Sequence, residues 1–187
     1  MKPQSVIYES GNSNTQLERH KISASRQQNG EMQFKIEEQD AVEICRNVVE
    51  TVNKVKRTSA DILFESDLAT LTLSTDKARL QQMLINLLVN ANKFTEKGSI
   101  VLSLKKEGNA ALFSVTDTGC GIAPEKREKI FNRFEKLDEN AQGTGLGLSI
   151  CQLIIEHLGG KIWVDPDYND GARFCFTHPI ERKEAKA

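Results

Sequence analysis

The stretch LQQMLINLLVNANKFT, residues 80–95, decides how the rest of the chain is read. At about 100° per residue, Asn86, Asn90 and Lys93 fall within roughly 60° of one another on a helix. Leu80, Leu84, Leu87, Leu88 and Ala91 take the opposite side. One face packs; the other presents two amides and an ammonium in a row. Asparagine is a weak helix former, and a solvated face would be better served by Glu, Lys or Gln. Amide oxygens are hard donors suited to magnesium, and an ammonium is a point charge suited to phosphate. An ordinary amphipathic helix with a polar outer face is the plainer alternative.

Upstream, MQFKIEE alternates as a half-exposed strand does. Asp40 then suits the N-cap of AVEICRNVVETVNKV, whose Val42, Cys45, Val48, Val49, Val52 and Val55 make one stripe. ADILFES and ATLTLST read as short strands, and Asp76 or Thr75 caps the long helix to about Phe94. Downstream, SIVLSLKK and AALFSVTD form a hairpin around EGN. Short helical stretches follow Pro124, and LSICQLIIEHL is a helix stopped by Gly159 and Gly160. KIWVD and ARFCFTHP are strands around DYNDG. This order predicts an α+β domain: a two-layer α/β sandwich with a mixed, mostly antiparallel sheet of about five strands and three main helices on one face.

Two further motifs carry chemistry. Asp117-Thr118-Gly119-Cys120-Gly121-Ile122 places a carboxylate at a strand end before glycines that let the backbone turn; it can accept from an exocyclic amine such as that of adenine. A plain turn would use the same residues. Gly143-Thr144-Gly145-Leu146-Gly147-Leu148 opens a helix, where free N–H groups and the helix dipole favour phosphate. It is neither a dinucleotide fingerprint, which follows the first strand of a βαβ unit, nor a P-loop, which needs Gly-Lys-Ser/Thr.

The 187 residues allow one domain with appended sequence, and a formal charge of −1 with interspersed signs disfavours nucleic acid. Cys45, Cys120, Cys151 and Cys175 lack zinc-ligand spacing and read as reduced thiols. No apolar run approaches the roughly 20 residues of a membrane helix, and the N-terminus lacks a secretory core. The expectation is a cytoplasmic piece making no membrane contact, whether or not a longer parent is anchored in the inner membrane.

The boxes NLLVNANKFT, DTGCGI, IFNRFEKLD, QGTGLGLSIC and NDGARFCF stand in one order over roughly residues 32–180. In that combination the chain resembles the catalytic domain of sensor histidine kinases, members of the GHKL group of ATP-binding proteins. The resemblance implies the GHKL ATP-binding fold, ATP and Mg2+ as cofactors, and a division into three parts. These are a flexible segment 1–30 with the tail of a dimerisation-domain helix, a catalytic ATP-binding domain 31–182, and a disordered tail 183–187.

By the same resemblance, Asn90 binds the metal, Asn86 lies close to metal and phosphates, Lys93 holds a phosphate, and Phe94 lies near the nucleoside. Asp117 accepts the adenine amine, while Gly119, Gly121 and Ile122 shape the base pocket. Thr144, Gly145, Leu146 and Gly147 close over the triphosphate, and Arg133 reaches towards the γ-phosphate. Gly171 is the last family glycine. Phe131 and Phe134 anchor a lid running roughly over 135–142.

Gyrase-like members carry a water-activating glutamate at the position of Asn86. An amide cannot act as a general base, so efficient hydrolysis is not expected. Gln82 stands where the family often has a carboxylate. None of His20, His157 and His178 has the flanking acid and proline of a phosphoacceptor. The expected partners are therefore a phosphoacceptor dimerisation domain of the same kinase and a response regulator receiver domain. The alternatives are a non-catalytic nucleotide-binding regulatory module and a self-sufficient GHKL-type ATPase.

Overall fold

The structure, a computed structural model, describes residues 32–56, 58–135 and 145–181. Apart from Met32 these belong to one compact unit, Gln33–Ala187. The outer segments expected at 1–30 and 183–187 lie outside the described residues.

The first strand, β1 (Glu37–Asp40), is shorter than the alternation of residues 32–38 predicts and starts later. Its partner sets its length: β1 pairs antiparallel with the equally short β3 (Thr72–Thr75), in register from Glu37 opposite Thr75 to Asp40 opposite Thr72. The residues before it are tied down by side chains instead. Lys35 N donates to Asp76 Oδ2 at 2.7 Å, and the Phe34 ring stacks on His157 at 3.8 Å.

Asp40 caps α1 (Ala41–Val55), its Oδ1 accepting from Val42 N at 2.9 Å and also from Leu71 N at 3.1 Å. One carboxylate thus satisfies an orphan helix donor and fixes the approach to β3. The apolar stripe is buried from Val42 to Val52 and fades at half-buried Val55. Asp76 caps α2 (Lys77–Phe94) through Arg79 N at 3.0 Å, with Leu80, Leu84, Leu87, Leu88 and Ala91 buried beneath. Gln82 is buried too, accepting from Arg79 Nη1 at 3.1 Å.

The main sheet has five strands in the order β2 (Asp61–Glu65), β4 (Ser99–Glu107), β5 (Ala110–Asp117), β7 (Ala172–Pro179), β6 (Lys161–Val164). β2 and β4 are parallel and the other pairs antiparallel. Every second residue of the central strands faces the helices. Ile100, Leu102, Leu104, Ala111, Phe113, Val115, Phe174 and Phe176 are buried, with Phe113 and Phe176 stacked at 4.5 Å. α1, α2 and α3 (Gly147–His157) cover this layer, α1 over β2, α2 over β5 and α3 over β6. Gly159 ends α3 with a left-handed φ of 85° that other residues reach only with strain.

The arrangement bears out the two-layer sandwich and adds a detail: β1 and β3 form a separate two-stranded ribbon. It is joined to the sheet through buried His178, whose Nε2 lies 3.0 Å from Thr75 Oγ1. The β5–β7 register sets Asp117 opposite Ala172, and this pairing positions the site.

Candidate functional site

Asp117 is the last residue of β5 and is only 3% exposed. Its Oδ1 accepts from Gly119 N at 2.9 Å and from Ala172 N at 3.3 Å. Burial raises its pKa above the ordinary carboxylate value, opposed by donors at Gly119, Ala172 and Thr95. The backbone around it has no slack. A Cβ on Gly119 would lie 2.3 Å from Phe94 O, and one on Gly171 2.0 Å from Asp117 O. Both positions must be glycine for α2, β5 and the β6–β7 turn to approach so closely.

A brace holds this end from behind. The Tyr168 hydroxyl donates to Asp117 O at 3.3 Å, and the Arg173 guanidinium lies 4.4 Å from the Tyr168 ring centroid. Arg173 also pairs with Asp165 at 3.1 Å and donates to Thr116 Oγ1. Arg127 donates to Ile122 O and to Pro166 O, tying the loop after Asp117 to the β6–β7 turn.

Asn90, Phe94, Asp117, Gly121 and Ile122 line one cavity, together with Ala172 and Phe174. The helix amide and the strand-end carboxylate therefore meet. The cavity measures only about 10 Å³, room for about one water-sized sphere. A larger cleft of about 610 Å³ lies at the end of α3, lined by residues including Glu107, Asn109, His157 and Glu181. Its size is not matched by chemistry: it holds neither the amide row nor a glycine loop.

Asn86 sits one turn before Asn90 and links α2 to α3, its Nδ2 donating to Gly147 O at 3.5 Å. α3 starts there without a side-chain cap, since Leu146 at the N-cap position supplies none. Its first amides are the orphan donors that suit an anion. Lys93 Nζ lies 5.1 Å from the Phe94 ring centroid and is exposed. Gly145 has φ 68° and its carbonyl accepts from Phe134 N at 3.0 Å, so the two feet of the intervening loop are joined.

Thr144 lies outside the described residues, as does most of the expected lid. Arg133 is exposed, and it is not among the residues lining the cavity. Phe131 packs edge-on against Phe174 with centroids 6.3 Å apart, as an anchor would. Phe134 does not: it is 69% exposed with a left-handed φ of 64°, and its backbone N–H makes the bond to Gly145 O.

Of the cysteines, Cys45, Cys151 and Cys175 are buried and Cys120 exposed, all as free thiols. Burial pushes the Cys151 thiol up to about 12, which leaves it a packing group.

Comparison with known proteins adds a matching family, described as Histidine kinase-, DNA gyrase B-, and HSP90-like ATPase, over residues 75–182. The chain belongs to this ATPase family. Within it, the chain is 44% identical to the adaptive-response sensory kinase SasA of Trichormus variabilis over 109 residues, 56% of this chain and 27% of that one. The chain thus spans about a quarter of the length of that curated relative. Among solved structures, the catalytic domain of histidine kinase ThkA superposes with a TM-score of 0.70 at 37% identity, covering 80% of this chain and 97% of that one. Histidine kinase ThkA in complex with response regulator protein TrrA matches with a TM-score of 0.73 at 31% identity, covering 91% of this chain and 49% of that one. The fold is that of a histidine kinase catalytic domain.

Sequence reasoning missed three residues of the site. Ala172 and Phe174 line the cavity from a strand 55 or more positions away, and only the glycine preceding Ala172 hints at them. Thr95 is buried directly behind Asp117, and nothing in its spacing marks it.

Proposed function

We propose that this chain binds ATP with Mg2+ and transfers the γ-phosphoryl group to a histidine carried on a phosphoacceptor dimerisation domain. Asp117 accepts the 6-amino group of adenine, between Phe94 and Ile122. Asn86 and Asn90 present amide oxygens towards the phosphates, and Lys93 and the uncapped N-terminus of α3 draw the anionic chain in the same direction. Arg133 and Thr144 to Gly147 act at the phosphate end. The observation that carries this reading is that Asn90 and Asp117 line one cavity.

The donor set fits a magnesium site completed by the nucleotide. Among the described residues no cluster of three His, Cys, Asp or Glu side chains could hold a metal. Asn90 alone would give one hard oxygen, as befits an ion that keeps water and phosphate ligands. When bound, the ion neutralises charge on the phosphates. The residues of the chain orient the triphosphate so that the imidazole nitrogen forms a bond to phosphorus as the β–γ bridging P–O bond breaks, with ADP leaving. Asn86, an amide, cannot deprotonate water, which favours transfer over hydrolysis.

The imidazole is not one of the described histidines. His178 is buried, with its Nδ1 2.6 Å from Pro179 O, and His157 is stacked on Phe34. A response regulator would be the further acceptor, a role consistent with the complex solved for ThkA.

The test is a calorimetric titration with ATP in magnesium and in chelator. The parent should bind more tightly with magnesium by about tenfold or more, and Asn90→Ala should bring the two titrations together. Labelled ATP added with the phosphoacceptor domain should then yield acid-labile phosphohistidine. Binding indifferent to magnesium in the parent would sink the metal assignment, and absence of label would sink the transfer.

A further inference from the structure

Thr95 follows α2 as its C-cap residue, with φ −125° and ψ 96°. It is 1% exposed, and its Oγ1 is a buried oxygen without a hydrogen bond of good geometry. A buried, unpartnered hydroxyl is destabilising, and valine would fill the same space without one. Its position gives it a use. A Cβ on Gly119 would lie 2.9 Å from Thr95 Oγ1 and 3.0 Å from Asp117 Oδ1, so the hydroxyl and the carboxylate flank the same glycine. The hydroxyl is also close enough to favour the ionised form of that carboxylate, although no well-formed bond joins them.

We infer that Thr95 is a positioning residue for base specificity: its hydroxyl turns to donate to the Asp117 carboxylate as a purine amine engages it, holding that carboxylate as an acceptor. This rests on the nucleotide-site reading above. A carboxylate accepts from a 6-amino group, whereas a neutral carboxyl in the same place would donate to a 6-oxo group.

The groups that face Asp117 from its surroundings do not replace Thr95. Tyr168 comes from the β6–β7 turn and Arg173 from β7. Tyr168 bonds the Asp117 backbone oxygen, and Arg173 bonds Thr116 and Asp165. The donors that oppose desolvation of the carboxylate are Gly119, Ala172 and Thr95, all neutral. Two of them are backbone amides, which only proline would remove and only by distorting the chain. Thr95 is the one whose chemistry can be varied.

The experiment measures dissociation constants for ATP and for inosine triphosphate, which carries a 6-oxo group, in the parent and in Thr95→Val, Thr95→Ser and Thr95→Cys. Thr95→Val should weaken ATP by about tenfold while changing inosine triphosphate less than about twofold, narrowing discrimination about tenfold; Thr95→Ser should keep the parent ratio. An unchanged ratio in Thr95→Val overturns the inference, whether both affinities hold and the unfolding midpoint rises or both fall together. Should circular dichroism show Thr95→Val unfolded, Thr95→Cys decides: its poor donor should narrow the ratio, and a parent-like ratio overturns the inference. A parent that binds neither nucleotide instead overturns the nucleotide-site reading, a result distinct from a parent that binds ATP beside a Thr95→Val variant with unaltered ratio.

Discussion

The two ends of the proposed nucleotide site are held differently. At the base end, Asp117 is held by two backbone amides, backed by Tyr168 and Arg127, and packed so tightly that Gly119 has no room for a methyl group. At the phosphate end, a Cβ on Gly145 would lie 2.9 Å from the Phe134 backbone, but α3 begins without a side-chain cap, and a Cβ on Gly147 would meet nothing nearer than Asn86 Cγ at 3.9 Å. Recognition of a planar base needs a fixed acceptor, because discrimination comes from leaving a wrong partner's polar groups unpaired. Handling a phosphoryl group that must arrive, transfer and leave calls for donors that tolerate several positions. On the proposed reading, the difference separates what selects the nucleotide from what moves it.

The largest effect should come from crowding the rigid end. Gly119→Ala forces a Cβ to within 2.3 Å of Phe94 O, so α2 and β5 must separate. ATP binding should vanish and stability should fall by about 3 kcal/mol, readable by denaturant titration. An unaffected variant would show that this end has slack after all.

Asp117→Asn comes next. Asparagine keeps an oxygen for the Gly119 and Ala172 amides, so the fold should survive, but ATP affinity should drop by about 30-fold as a charged acceptor is lost. The pH dependence sharpens this case. Burial raises the pKa of Asp117, so the folded state holds that proton at pH values where the unfolded chain has released it. Relative to Asp117→Asn, the nucleotide-free parent should therefore gain stability as pH falls through that raised value, while its ATP binding weakens over the same range. Parallel rather than opposing curves would contradict the assignment.

The smallest effect tests the loose end. Gly147→Ala adds a methyl group at the first turn of α3, where alanine is favoured by about 0.5–1 kcal/mol over glycine. The unfolding midpoint should hold or rise slightly. A fall as large as that of Gly119→Ala would erase the distinction between the ends.

Much of this architecture is legible from local chemistry. Asp40 and Asp76 announce their helices because a cap is satisfied within two or three residues. The Asn86–Asn90–Lys93 row follows from helical periodicity alone. Partners distant along the chain are not legible in this way. The parallel pairing of β2 with β4 depends on a crossover, and the split-off ribbon of β1 with β3 depends on which edge each strand finds. Ala172 is as plain as a residue can be, and it matters through its backbone N–H, which no side-chain pattern reports. Phe134 shows the converse. An aromatic in a motif suggests packing, yet its backbone is bent into the left-handed region and the ring is turned outward.

One of the amides that hold the Asp117 carboxylate, Ala172 N–H, belongs to the strand made last in chain order. During synthesis Asp117 emerges 55 residues before Ala172, and its carboxylate lacks one of its two amide donors until β7 docks beside β5. A chain lacking that strand would keep the earlier motifs and still lack the Ala172 donor, so the proposed adenine acceptor is finished only by the docking of β7.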